Sequence, residues 1–181
     1  SRTYPNLLTQ EGICGNEEFP DATHNTTLPF TRMLNGAADY TICYFDKRLR
    51  NTHAHQLAAS LVFYSPLQTI FWYDNPTRYN GEPEISWFEK LETVFDESRV
   101  LAGYPGEGIT MARRKGDTWF VGVLGNNDAR EVEVDFSFLP ASSVWNATIY
   151  SDGGDKVDTA THVKIDTRKV RPSDRLRFAL Q

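Results

Sequence analysis

Residues 131–139, EVEVDFSFL, put Val132, Val134, Phe136 and Phe138 on one side of an extended chain and Glu131, Glu133, Asp135 and Ser137 on the other. A helix, with its period near 3.6, would scatter these residues around its whole circumference. Only a strand with one buried and one wet face accounts for a period of two. Related runs recur at 108–114, 118–124, 144–150, 163–166 and 175–180. Between them lie turn-forming groups: Lys115-Gly116-Asp117, Asn126-Asn127-Asp128, Asp152-Gly153-Gly154 and Pro172-Ser173-Asp174. Short strands at near-regular spacing, punctuated in this way, predict an antiparallel sandwich or barrel.

The chain before Phe95 has a different pattern. From Arg48 onward Leu49, His53, Leu57 and Leu61 fall one helical turn apart, with Ala54, Ala58 and Val62 on the neighbouring stripe. Pro66 closes that helix, because proline disfavours helical geometry at the residue before it. Residues 67–73, LQTIFWY, predict a short buried strand bounded by Asp74-Asn75-Pro76. A second helix is expected to open at Pro83 and to carry Glu84, Trp87, Phe88 and Leu91. The fold class is therefore α/β plus all-β, with an α/β segment over residues 1–95 and an antiparallel β-sandwich over 96–181. Two β/α units are legible in the first segment, too few to close a parallel sheet on itself. Its polar, turn-rich opening is also the kind of loop that a rigid scaffold normally carries.

Composition narrows the function classes. Of 181 residues, 40% are hydrophobic, 13% aromatic and 24% charged, which excludes a disordered or collagen-like chain. The net charge is −5, and −4 of it falls before Asp96; without a Lys/Arg block able to follow a phosphate backbone, nucleic acid is not an expected partner. No apolar run approaches the roughly 18–20 residues of a membrane span, and the residues after Ser1 lack a signal-peptide pattern. Cys14 and Cys43 are compatible with one disulfide, two buried thiols or unpaired chemistry, and their spacing matches no zinc signature.

The densest candidate site is Gln10-Glu11-Gly12-Ile13-Cys14-Gly15-Asn16-Glu17-Glu18. Two glycines let the backbone turn sharply and bring carboxylates toward one point. Glu11 and Glu17 could ligate a hard cation such as calcium through oxygen, or one of them could serve as a general acid. Sugar hydrolysis needs such an acid opposite a second carboxylate; a solvated acidic loop is the plainer alternative. His53 and His55 diverge by about 200° on a helix and cannot share one metal, so capping or interface roles are expected. His24, Arg32 and Asp39-Tyr40 could be site groups or structural ones. Phe71-Trp72-Tyr73 with Tyr79 could form a stacking platform for a sugar ring or belong to the core. Asn25-Thr26-Thr27 and Asn146-Ala147-Thr148 fit the glycosylation triplet. No phosphate loop, dinucleotide fingerprint or nucleophile elbow is present.

The segment from Thr3 to Gly12, TYPNLLTQEG, followed by Gly15-Asn16-Glu17 and by Thr27-Leu28-Pro29-Phe30-Thr31-Arg32-Met33-Leu34, resembles glycoside hydrolase family 97, the bacterial α-glucosidase and α-galactosidase family. The likeness continues through Asp39-Tyr40-Thr41, residues 52–58, residues 64–68, Trp119-Phe120-Val121-Gly122 and residues 149–153, in the family's order. It implies the C-terminal part of a (β/α)8 catalytic barrel over 1–95, followed by a C-terminal β-sandwich. An upstream barrel and N-terminal domain are expected on the same polypeptide, with an opposing carboxylate upstream of Ser1. It further implies an oligosaccharide substrate, calcium as cofactor, and a bacterial periplasmic or extracellular location. By motif position Glu17 resembles the family's general acid, and Glu11 with Glu17 its calcium site. The competing expectation is a non-catalytic β-sandwich that binds carbohydrate or packs on a partner; an exposed Trp pair would favour it, but Trp119 and Trp145 sit in alternating strands and are expected to include core positions.

Overall fold

The structure, a computed structural model, describes residues 20–37, 40–44, 49–66, 68–71, 77, 79–153, 156–157, 160–161 and 163–180. Helix α1, Ala22–Thr27, runs into two 3-10 turns, Leu28–Phe30 and Arg32–Asn35. Strands β1, Thr41–Cys43, and β2, Thr69–Phe71, lie parallel with Thr41 opposite Thr69, and helix α2, His53–Val62, crosses between them. Parallel neighbours need such a crossover, so this is a βαβ unit. A short helix α3, Ile85–Lys90, follows.

Local chemistry sets the limits of α2. Thr52 caps it, its hydroxyl accepting from the His55 N–H at 3.1 Å. The helix stops at Val62, where Phe63 turns extended, so it ends short of Pro66. His53, Leu57 and Leu61 are each 2% exposed or less, as the stripe predicts, while Leu49 is buried ahead of the helix. Strand β2 corrects one expectation: Ile70 is 39% exposed, and among the described residues β2 pairs only with β1. Leu67, Trp72 and Tyr73 lie outside the described residues.

From Glu97 the chain is antiparallel. Strands β3 (Glu97–Tyr104), β4 (Gly108–Lys115) and β5 (Thr118–Gly125) form a meander. Strand β6, Arg130–Asp135, pairs with β11, Arg175–Leu180, and β7, Trp145–Ser151, pairs with β10, Lys164–Val170. A small hairpin joins β8, Lys156–Val157, to β9, Ala160–Thr161. Lys115 pairs with Thr118, leaving a two-residue loop in which Gly116 takes φ 53°. The predicted strands are present, although β6 ends at Asp135 and Phe136 and Phe138 point inward from the turn beyond it. Strand β3 was not legible: it is an edge strand, exposed along most of its length and bulged between Val100 and Ala102, so it carries no alternation.

The meander has a core on each face. On one side Ala112, Val121, Val123 and Trp119 meet Val134, Phe136, Phe138 and Val170 of the second layer. On the other, Ile109 and Leu124 pack with Leu28, Tyr40, Ile42, Ala59, Val62 and Phe63 of the α/β segment. Gly122 lets α2 lie against β5, since a Cβ there would sit 3.2 Å from the Ala58 carbonyl oxygen. The pattern change near Phe95 thus separates two kinds of secondary structure that share a core.

Candidate functional site

Glu11 and Glu17, the carboxylates singled out above, lie outside the described residues, as do Cys14 and Glu18. The structure shows how the chain that follows them is held. Asp21 caps α1, its Oδ1 accepting from the His24 N–H at 2.8 Å. Its Oδ2 accepts from Asn127 Nδ2 at 3.1 Å, and Asn127 Oδ1 in turn accepts from the Ala22 N–H at 3.2 Å. Asn127 belongs to the β5–β6 turn, so the β-domain grips the start of α1 through a reciprocal pair of bonds. Arg50 lies 3.9 Å from the same carboxylate oxygen. The His24 amide, outweighing partial burial, with Asn127 and Arg50 assisting, holds the Asp21 carboxyl below its ordinary range.

One residue earlier, the Pro20 carbonyl accepts from Asn51 Nδ2 at 3.4 Å. Asn51 Oδ1 accepts from Gln56 Nε2 at 2.7 Å, and Gln56 Oε1 accepts from the Cys43 N–H at 3.3 Å. A chain of amides therefore links the end of β1, the first turn of α2 and the backbone at Pro20. This chain of contacts lies at the C-terminal end of β1.

Two buried clusters support that end of the unit. Tyr44, fully buried just after β1, donates its hydroxyl to Glu84 Oε1 at 3.2 Å and stacks on the His53 ring at 4.4 Å. Burial and the Glu84 carboxylate push the Tyr44 phenol far up. Glu84 is 2% exposed, so the cluster is closed off within the described residues. Asn25, fully buried on α1, donates from Nδ2 to His55 Nε2 at 3.0 Å and lies 3.4 Å from the Tyr40 hydroxyl. His55 keeps some surface exposure, but enclosure of its ring pushes its pKa down to about 4, the neutral form that can accept this bond.

The remaining sequence candidates separate. His53 and His55 serve different clusters, in agreement with their angular divergence. His24 is exposed on α1, and Arg32 directs Nη2 at the Ala37 carbonyl at 3.5 Å. Tyr40 is core, set edge-on to Phe63 at 4.9 Å, and Cys43 is buried. Tyr79 is 48% exposed; Asp39, Trp72 and Tyr73 lie outside the described residues. The Asn25 glycosylation triplet is overturned by burial, whereas Asn146 is exposed on β7. Among the described residues no three His, Cys, Asp or Glu side chains converge as a metal site, and no helix is long and apolar enough to cross a membrane. A cavity of about 390 Å³ runs along β5 between α2 and β7, walled by core residues such as Leu57, Trp87, Phe120 and Trp145. Sequence reasoning missed Asn127, Asn51 and Arg113. Only Arg113 carried a signal, as a charge at an inward position of β4; it is 5% exposed and donates from Nη2 to the Val62 carbonyl at 3.0 Å.

Comparison with known proteins accounts for this arrangement. The family model described as glycosyl-hydrolase 97 C-terminal, oligomerisation, matches residues 94–181. A retaining α-galactosidase of Bacteroides thetaiotaomicron is 35% identical over 201 residues, covering 99% of this chain and 30% of that protein. A probable retaining α-galactosidase of Streptomyces bingchenggensis is 35% identical over 159 residues, covering 85% of this chain and 24% of that protein. A family 97 enzyme from Pseudoalteromonas sp. strain K8, solved in complex with acarbose, superposes with a TM-score of 0.81 at 30% identity, over 99% of this chain and 31% of that one. The chain belongs to glycoside hydrolase family 97, and what it matches is the C-terminal portion of such enzymes. It spans about 30% of the length of the first of these curated relatives.

Proposed function

We propose that this chain is the C-terminal part of an exo-acting α-glycosidase that removes terminal α-galactosyl or α-glucosyl units from oligosaccharides. In this reading residues 1–95 complete a (β/α)8 barrel and 96–181 form its C-terminal β-sandwich. The observation that carries it is the 35% identity to a retaining α-galactosidase along 99% of the chain, the α/β segment included. The parallel β1–α2–β2 unit, packed on the antiparallel meander through one core, supports the same assignment.

Glu17 is the proposed general acid: it protonates the departing glycosidic oxygen while a carboxylate supplied by the upstream barrel works on the opposite face of the sugar. The relatives' names support a retaining course, in which the two carboxyl groups stand about 5–5.5 Å apart. Glu11 and Glu17 are the residues proposed to hold calcium, which when bound supplies fixed positive charge beside the sugar. A bacterial periplasmic or extracellular location belongs to the same proposal. The β-domain favours a second role as well, because the model matching residues 94–181 is described as oligomerisation; its packing partner in that role is another subunit.

The test is hydrolysis of p-nitrophenyl α-galactoside and α-glucoside by the complete polypeptide and by the 181-residue chain. The complete polypeptide is expected to release p-nitrophenol, with calcium chelation lowering the rate. The isolated chain is expected to release none, since it holds one of the two carboxylates. Turnover by the chain alone overturns the reading.

A further inference from the structure

Asparagine followed by glycine occurs twice in the chain, at Asn35-Gly36 and at Asn80-Gly81. In such a pair the glycine nitrogen can attack the asparagine amide carbon, because no Cβ on the glycine shields the approach. The two pairs share this chemistry, and the fold places them differently. Asn35 ends the 3-10 turn Arg32–Asn35, and the Gly36 N–H donates to the Met33 carbonyl at 3.3 Å. The nitrogen that would attack is thus committed to closing the turn, and Gly36 is half-buried. Asn80 and Gly81 are both exposed and lie outside any helix or strand, between β2 and α3. Among the described residues the Gly81 N–H makes no hydrogen bond, and neither does the Asn80 side chain. Gly81 takes φ 76°, and a Cβ built on it would meet nothing within 4 Å. The Asn80 N–H is held instead, donating to Glu82 Oε2 at 3.1 Å. An exposed loop of this kind lets nitrogen and amide approach each other, which a hydrogen-bonded turn resists.

We infer that Asn80 is a site of spontaneous covalent modification, its side-chain amide converted to a carboxylate through a cyclic imide with Gly81, while Asn35 is protected by its turn. The Gly81 nitrogen loses its proton and bonds to Asn80 Cγ, and the side-chain nitrogen leaves as ammonia. Water then adds to one of the two imide carbonyls and breaks the bond from that carbonyl to nitrogen. Opening at the main-chain carbonyl leaves isoaspartate, whose backbone gains a methylene; opening at the side-chain carbonyl leaves aspartate. Water is the sole co-reactant. Either product sets a new carboxylate beside Glu82, shortly ahead of α3. That helix ties its neighbours together: Ser86 Oγ lies 2.9 Å from the Tyr150 hydroxyl of β7, and Trp87 Nε1 donates to Ser60 Oγ of α2 at 2.9 Å. The modification therefore falls at the entry to an element that joins the α/β segment to the sandwich.

The test incubates the folded, complete polypeptide at mildly alkaline pH and follows two tryptic peptides by mass spectrometry, residues 79–90 and 33–47, each of which holds one Asn-Gly pair. Peptide 79–90 is expected to gain the mass of an NH2-to-OH exchange about fivefold faster or more than peptide 33–47, the factor that one retained hydrogen bond supplies. In denaturant the two rates are expected to converge, since the turn that protects Asn35 is then gone. The acidic species that accumulates on ion exchange in step with peptide 79–90 should be missing from Asn80→Ser, which has no amide to lose. Equal rates in the folded protein, a faster Asn35, or no reaction at peptide 79–90 overturn the inference. A rate gap that persists unchanged in denaturant also overturns it, because neighbouring side chains and not the fold would then set the difference.

Discussion

Replacing Gly122 with valine tests whether the two halves of the chain share one core. Gly122 is buried on β5 beneath α2, and an added Cβ would lie 3.0 Å from Val62 Cγ2, 3.2 Å from the Ala58 carbonyl oxygen and 3.3 Å from Leu61 Cδ2. The two methyl groups can rotate, but the carbonyl moves only with the helix. Alanine would regain about 0.5–1 kcal/mol from a less flexible unfolded chain, offsetting part of the crowding. Valine adds two further methyl groups, and overpacking of this kind costs about 1–3 kcal/mol, so a net loss of about 2 kcal/mol is expected. For a chain of this size each kcal/mol lowers Tm by about 2–4 °C, giving a fall of about 4–8 °C. Thermal unfolding of the chain followed by tryptophan fluorescence reads both sides, since Trp87 packs 6.0 Å from Phe120 beside α2 and Trp119 lies 5.0 Å from Phe138 in the sandwich. One transition, displaced as a whole, is the expected result. An unchanged Tm, or two transitions of which only one moves, refutes the shared core.

Two further predictions concern charge. The folded pKa of His55, about 4, lies below the ordinary 6.5. The unfolded chain therefore binds a proton that the folded one refuses; this contribution to stability is complete above about pH 6.5 and is lost as pH falls toward 4, up to about 3 kcal/mol in all. His55→Gln should flatten the urea-midpoint profile between pH 6.5 and 5, above the range where most carboxylates titrate; an unchanged slope contradicts the assignment. Arg113→Met should cost about 2 kcal/mol in urea unfolding, because the guanidinium bonds the Val62 carbonyl and lies 5.3 Å from the Phe95 ring and 5.5 Å from that of Tyr64. Arg114→Met, which breaks exposed pairs with Asp96 and Glu97, should cost under about 1 kcal/mol, and equal losses for the two variants would refute the distinction.

Strands β6, β7 and β11 were legible because one side of each is more exposed than the other, while β4 and β5, which have a core on each face, were legible from the turn residues that bound them. In β6 and β11 the wet side is an ion-pair ladder, with Arg175 and Arg177 facing Glu131, Glu133 and Asp135. Helix α2 was legible for the same reason, from His53, Leu57 and Leu61. Strand β3 was not, since an edge strand with both faces largely open needs no pattern. The supports of the α1 entry were also hidden. Asn127 and Asn51 are ordinary turn residues in sequence, and only the fold brings them to Asp21 and Pro20 across long stretches of chain. Asn25 fits the glycosylation triplet in sequence yet is fully buried, since the triplet rule carries no information on burial.

The most direct measurement of the central claim is the leaving-group dependence of the complete polypeptide carrying Glu17→Gln. Loss of at least about a hundredfold in kcat on an α-linked disaccharide, with the dinitrophenyl α-glycoside rate largely kept, is the result a general acid at Glu17 requires. Equal losses on the two substrates, or full activity on the disaccharide, would contradict it.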